Sequence, residues 1–296
     1  MDHLIRQMGY VVLSTPDPDE SARDLSEIVG LKVTERHDSS IYMSANDRRC
    51  EVVWQKGDSP GVVVIGLEAM DAASVDEVAR RAQADGLVLL SDRPTVEGVE
   101  RAIRFATPFG PVFEVHTPVQ RNQPPRHIGT GARPRRLEHV NVRVSDTSGF
   151  RDFALGTLGM KLSDRTANNE LAWYRAWDGY HHTLAVGAGN CLHHYAFDAY
   201  AMEDLIHIAD SLVIKKRHLL WGPGRHGAGE NIFTYYRDPN GCAVETSVGL
   251  ARIDNDLLYE ARVWSLDPDS GMRNLWERSP PPEAFTTAGI PYLQAT

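Results

Sequence analysis

The same arrangement of residues occurs twice in this chain. GLKVTER at 30–36 resembles GMKLSDR at 159–165, 129 positions later. ATPFGPVFEV at 106–115 lies over RDPNGCAVET at 237–246, an offset of 131, which sets Pro108, Gly110 and Glu114 over Pro239, Gly241 and Glu245. The openings agree as well, MGYVVL at 8–13 with LEHVNV at 137–142. A length of 296 residues is nearer two domains than one, and the repeat divides it: residues 1–118, a linker at 119–136 rich in Pro, Gly and Arg, a second copy at 137–250, and a tail at 251–296 expected to pack over the core.

Each copy reads as an α+β unit built of two βαβββ motifs. In HVNVRV (139–144) the valines alternate with His139 and Asn141, which puts one apolar and one polar face on a strand. Ser148 to Gly156 carries Phe150, Phe153 and Ala154 at helical spacing, with Gly159 as the stop. A second strand and helix follow, LHHYAF (192–197) and MEDLIHIADSLV (202–213). ENIFTYY and GCAVETS then supply two strands around a DPNG turn. The result is a sheet with one helix-packed face and one cupped, more polar face.

Composition excludes several classes. A net charge of −9 argues against nucleic-acid or anionic-membrane binding. No apolar run reaches the roughly 20 residues that cross a bilayer, and MDHLIRQMGY does not read as a secretory signal. Cys50, Cys191 and Cys242 are odd in number and widely spaced, which fits a reducing cytoplasm and not a cysteine metal cage. The 12 histidines are the unusual component, with several of them after residue 180.

Three of the candidate ligands lie in the second copy: His139, His194 and Glu245. Two imidazoles and a carboxylate on one face of a metal, with other positions open, suit Fe(II) and oxygen chemistry. Any one of these residues alone is more often an ordinary hydrogen-bonded side chain. The repeat changes that weighting, because their counterparts in the first copy read as Tyr10, Leu67 and Glu114, so the scaffold does not need the histidines to fold. His226, Tyr235 and Glu245 follow at intervals of nine and ten, and strand alternation turns Tyr235 toward the same cup as Glu245.

The segment GPGRHGAGENIFTYYRDPNGCAVE (222–245), the His139 strand, the HHT segment (181–183) and the HH-x-x-F strand (193–197) together resemble the type I extradiol ring-cleavage dioxygenases of the vicinal oxygen chelate superfamily. The similarity spans residues 8 to 250, with Thr234 in place of the family's aliphatic residue before the Tyr. It implies two tandem glyoxalase-like domains forming open barrels, the first without a metal site. It further implies Fe(II), with Mn(II) as the alternative, on His139, His194 and Glu245. His193 is expected on the opposite strand face. Catalytic groups would be His181 (or its neighbour His182), His226 and Tyr235. The substrates would be a catecholic diol and O₂, and the assembly a cytoplasmic homo-oligomer. A glyoxalase-type metalloenzyme and a metal-free protein that sequesters aromatic ligands are the rival readings.

Overall fold

A computed structural model describes residues 3–121 and 132–293. Most of the linker read at 119–136 (residues 122–131), and with it much of the basic stretch 126–136, lies outside the described residues. The first copy runs β1 (Ile5–Thr15), α1 (Pro18–Asp24, continued by a π-helical turn at Leu25–Val29), β2 (Lys32–His37), β3 (Ser40–Ser44), β4 (Val52–Lys56), β5 (Gly61–Ala69), α2 (Ala72–Ala84), β6 (Val88–Ser91), β7 (Ala102–Ala106) and β8 (Val112–His116). The second runs β9 (Pro134–Val144), α3 (Thr147–Gly156), β10 (Lys161–Thr166), β11 (Leu171–Arg175), β12 (Leu184–Ala188), β13 (Cys191–Ala199), α4 (Met202–Ile214), β14 (Trp221–Arg225), β15 (Ile232–Arg237) and β16 (Ala243–Val248). Each copy is therefore βαβββ followed by βαβββ. The tail adds β17 (Arg262–Trp264) and α5 (Glu283–Thr286).

Strand order is the same in both sheets. The first is β2-β3-β4-β1-β5-β8-β7-β6; the second is β10-β11-β12-β9-β13-β16-β15-β14, with β17 added in parallel to β10 at its edge. In each, the first strand of one βαβββ motif pairs antiparallel with the first strand of the other, and the remaining strands flank this central pair.

Local chemistry sets these elements. The Asp146 carboxylate accepts from the backbone N–H of Ser148 and Gly149 at 3.0 Å, capping α3. Gly159, at φ +64°, lets the chain turn out of that helix. Phe150 and Phe153 of α3 then pack edge-on or tilted against Phe105 and Phe113 of the first sheet, so the two copies share one apolar core. Along β9, Val140, Val142 and Val144 face this core, while His139, Asn141 and Arg143 face a cavity on the other side of the sheet. Among the described residues no helix is long and apolar enough to cross a membrane.

Candidate metal centre

The cupped face of the first sheet is filled. Tyr10, Val12, Tyr42, Val53, Val64 and Val112 form a compact apolar cluster there. Tyr10 donates its hydroxyl to Glu114, which also accepts from Thr95 N and Oγ1, and the Tyr10 ring stacks on His116 at 4.4 Å.

The same face of the second sheet forms a cavity at the corresponding position, lined by residues of β9, β11 to β16 and the tail. His139 from β9, His194 from β13 and Glu245 from β16 meet at its wall, all buried. His139 Nε2 lies 3.2 Å and His194 Nε2 3.4 Å from Glu245 Oε2, and the three donor atoms lie within 4.8 Å of one another. Donors about 2.1 Å from a shared ion and at near right angles around it stand roughly 3 Å apart, so these separations fit one divalent metal.

Neighbouring groups orient each ligand. The Nδ1–H of His139 donates to Glu138, which also accepts from Ser247, leaving Nε2 for a metal. Asn231 donates to Glu245 Oε1 at 3.1 Å, leaving Oε2 toward both imidazoles. His193 Nε2–H donates to the Phe285 carbonyl (2.9 Å), so its Nδ1 accepts from His194 Nδ1–H (2.8 Å), and the lone pair of His194 Nε2 turns toward Glu245. The expectation that His193 points to the opposite face fails for a local reason. Register shifts between Leu192 and His194, so the bulge cancels the alternation and both histidines line the cavity.

Electrostatics agree with a cation-seeking cluster. Burial opposes the charged form of His139, yet Glu245 and Glu138 outweigh it and lift its pKa to about 9. Burial alone would raise Glu245, but His139 holds it below the usual carboxylate range. His194 is pushed well below the ordinary imidazole range by burial and then by the neighbouring histidines.

A second row of side chains borders the same space. His226 donates Nδ1–H to the Arg273 carbonyl, and its Nε2 lies 3.1 Å from the Tyr235 hydroxyl and 3.9 Å from Glu245. Tyr235 pairs directly across from Glu245 in the β15–β16 ladder, as the DPNG hairpin requires. Of the adjacent His181 and His182, it is His182 that lines the cavity, its ring 4.2 Å from that of His139. His181 lies behind it, with Nδ1 3.1 Å from His182 Nδ1 and Nε2 3.2 Å from Asp164.

The family model of the glyoxalase/bleomycin resistance protein/dioxygenase superfamily matches residues 7–115 and 136–246. The chain belongs to this superfamily. Similar relatives are a manganese-dependent 2,3-dihydroxybiphenyl 1,2-dioxygenase of Geobacillus genomosp. 3 (26% identical over 260 residues, 79% of this chain and 82% of that protein) and a metapyrocatechase of Geobacillus stearothermophilus (22% identical, 97% and 94%). Homoprotocatechuate 2,3-dioxygenase from Arthrobacter globiformis has the same fold, with a TM-score of 0.88 at 20% identity over 99% of this chain and 94% of that one.

Within this superfamily fold, sheet register fixes which positions of the two copies correspond. Tyr10 pairs with Gly66, and Gly66 with Glu114; His139 pairs with Ala196, and Ala196 with Glu245. Gly66 is therefore the counterpart of Ala196, and Val64, not Leu67, takes the place of His194. Leu67 instead faces the shared apolar core. Asn141, set on the His139 face of the strand by sequence, lines the cavity, and so do Arg143, Leu171, Met272, Arg273 and Phe285, which the sequence reading did not single out. The last three come from the tail, which carries no repeat partner. Trp221 and Trp173 rim the cavity, whereas Trp177 is exposed beneath the Arg6 guanidinium.

Proposed function

We propose that this protein opens the ring of a catecholic diol with O₂, beside rather than between the two hydroxylated carbons, at an Fe(II) or Mn(II) held by His139, His194 and Glu245. The observation that carries this reading is the convergence of those three donors beside His182, His226 and Tyr235 on one cavity wall. Relatives named for cleavage of dihydroxybiphenyl and catechol-type diols support it. When bound, the metal supplies Lewis acidity to the diol oxygens and an electron path between ring and O₂.

The chain's own groups manage protons and orientation. Burial, then the nearby Glu245, keeps the Tyr235 phenol protonated well above its ordinary pKa, so it acts as a hydrogen-bond donor to an ionised substrate oxygen. His226, its Nδ1–H committed to the Arg273 carbonyl, offers Nε2 as acceptor for a proton leaving the diol. His182 faces the cavity and takes the acid–base role expected of the HHT segment, while His181, between His182 and Asp164, positions it. Residues 137–250 form the catalytic domain, residues 1–118 a scaffold without a metal site, and 251–296 a tail over the core. The product is a ring-opened semialdehyde or ketone. We also infer a cytoplasmic homo-oligomer, in keeping with three free cysteines and with the exposed Val213, Ile214, Leu257 and Leu258.

The test is oxygen uptake with a panel of catechols after anaerobic purification and metal loading. Stoichiometric O₂ consumption with a yellow product supports the reading. Catechol binding without O₂ consumption contradicts it and favours a sequestering protein.

A further inference from the structure

A buried carboxylate ringed by donors sits behind the His181–His182 pair. Asp164 of β10 accepts at Oδ1 from the Tyr259 hydroxyl and the Arg262 N–H, each at 3.1 Å, and at Oδ2 from Trp264 Nε1 at 2.6 Å. His181 Nε2 lies 3.2 Å from Oδ2 and, among the described residues, has no hydrogen-bond partner besides. Burial opposes the charge on Asp164, yet His181, Trp264 and the Arg262 N–H hold it below the usual carboxylate range. Three of these donors belong to the tail, whose β17 pairs with β10 at this point, Arg262 opposite Asp164.

An ionised carboxylate only accepts, so it fixes the hydrogens beyond it in turn. His181 carries its hydrogen on Nε2, facing Asp164, which leaves His181 Nδ1 bare. His182 Nδ1, 3.1 Å away, is then the donor of that bond. The nitrogen that His182 keeps for the cavity, Nε2, is therefore bare and able to take a proton. The opposite assignment would set a lone pair of His181 against a carboxylate. The backbone holds the pair in place as well, since the His181 N–H donates to the Ala251 carbonyl at 2.8 Å.

The first copy shows what the scaffold alone requires here. Glu35 takes the place of Asp164, each just after a bulge in its strand pair. Counting back from Val52 and Leu184, which hold matching register positions, sets Arg49 over His181 and Cys50 over His182. Glu35 grips Arg49 with both oxygens. An arginine is permanently charged and offers no choice of tautomer to pass on. Both copies thus keep an acid and a base at this place, and only the second continues the chain to a ring that lines a cavity.

We propose that Asp164 is a positioning residue for ring opening: through His181 it holds His182 with a bare nitrogen toward the cavity, while β17 of the tail holds Asp164. This inference rests on the ring-cleavage reading and on His182 as its acid–base group.

The test uses metal-loaded protein with catechol or 2,3-dihydroxybiphenyl, whichever the wild type cleaves faster. Three quantities are read: metal content, anaerobic affinity for the diol, and kcat in air. Asp164→Asn keeps the shape and removes the charge. It is expected to hold metal and diol as the wild type does and to lose about tenfold or more in kcat. Asp164→Glu, which restores the charge with the residue the first copy carries, is expected to recover most of that loss. In a His182→Asn background, Asp164→Asn is expected to change kcat by less than about twofold, because the group it acts through is gone. If that background turns over too slowly to compare, Asp164→Glu decides, and no recovery overturns the proposal. If Asp164→Asn fails to fold, His181→Asn carries the comparison with the same expected pattern. An unchanged kcat in Asp164→Asn overturns the proposal and leaves ring cleavage intact. An equal loss in both backgrounds, or loss of metal and diol binding along with turnover, also overturns it and marks a purely structural carboxylate. If the wild type cleaves neither diol, the ring-cleavage reading falls and this inference with it.

Discussion

His193 and His194 are neighbours in sequence and both reach the cavity, yet only His194 presents a nitrogen to Glu245 while His193 holds it in place. The two therefore have separable consequences. His194→Ala is expected to lose metal and turnover together; metal content equal to wild type would remove it from the ligand set. His193→Ala is expected to keep the site but weaken metal affinity by about 10–100-fold, the usual effect of losing a group that orients a ligand, measured by competition with a chelator. Tyr235→Phe is expected to retain metal and chiefly slow turnover; a metal-depleted variant would contradict its placement outside the ligand set. That His139 and Glu245 share one face was legible in the sequence because the repeat supplied an internal control, with Tyr10 and Glu114 at the corresponding positions of the first copy. The choice between His181 and His182 was not legible. They lie between β11 and β12, outside any strand, where no alternation rule says which ring faces inward.

At the level of elements, the βαβββ order and the hairpin around DPNG followed directly from apolar periodicity and turn chemistry. What failed was register. Setting Leu67 over His194 puts that strand three positions out: GLEAMDAASVDEV and HHYAFDAYAMEDL match in their acidic and small residues, whereas α2 and α4 begin at 72 and 202 and set the true correspondence. The bulges where β5 pairs with β1 and β13 with β9 are likewise invisible to a period-2 pattern. The first copy closes its cup with a hydrogen-bonded Tyr10–Glu114 pair where the second has His139 and Glu245. Tyr10→Phe removes one donor from a buried carboxylate and is expected to cost about 1–3 kcal/mol of stability, read from the denaturant midpoint. A midpoint unchanged from wild type would contradict a structural role for that bond.

Across the whole molecule, the tail completes the site. Sequence alone read it as a cover. It contributes Met272, Arg273 and Phe285 to the cavity wall, and its Arg273 and Phe285 carbonyls fix the proton positions of His226 and, through His193, of His194. Beyond α5, Ile290 bridges to Leu192 of the second copy and Tyr292 to Val62 of the first, so the segment spans both sheets. The shared core of Phe105, Phe113, Phe150 and Phe153 holds the copies together without it. A chain ending at Arg278 is therefore expected to fold with both sheets intact, and to bind metal about 10–100-fold more weakly through loss of the ligand-orienting carbonyl of Phe285. Circular dichroism and chelator competition read the two effects separately, and unchanged metal affinity would contradict the role given to the tail.

The most direct test of the account is metal quantitation on anaerobically purified protein, followed by O₂ uptake with a catechol. The account predicts a single Fe(II) or Mn(II) per chain, lost in His139→Ala, His194→Ala and Glu245→Ala alike, and O₂ consumed in proportion to ring-opened product. Protein that takes up catechol with no bound metal and consumes no O₂ would contradict it.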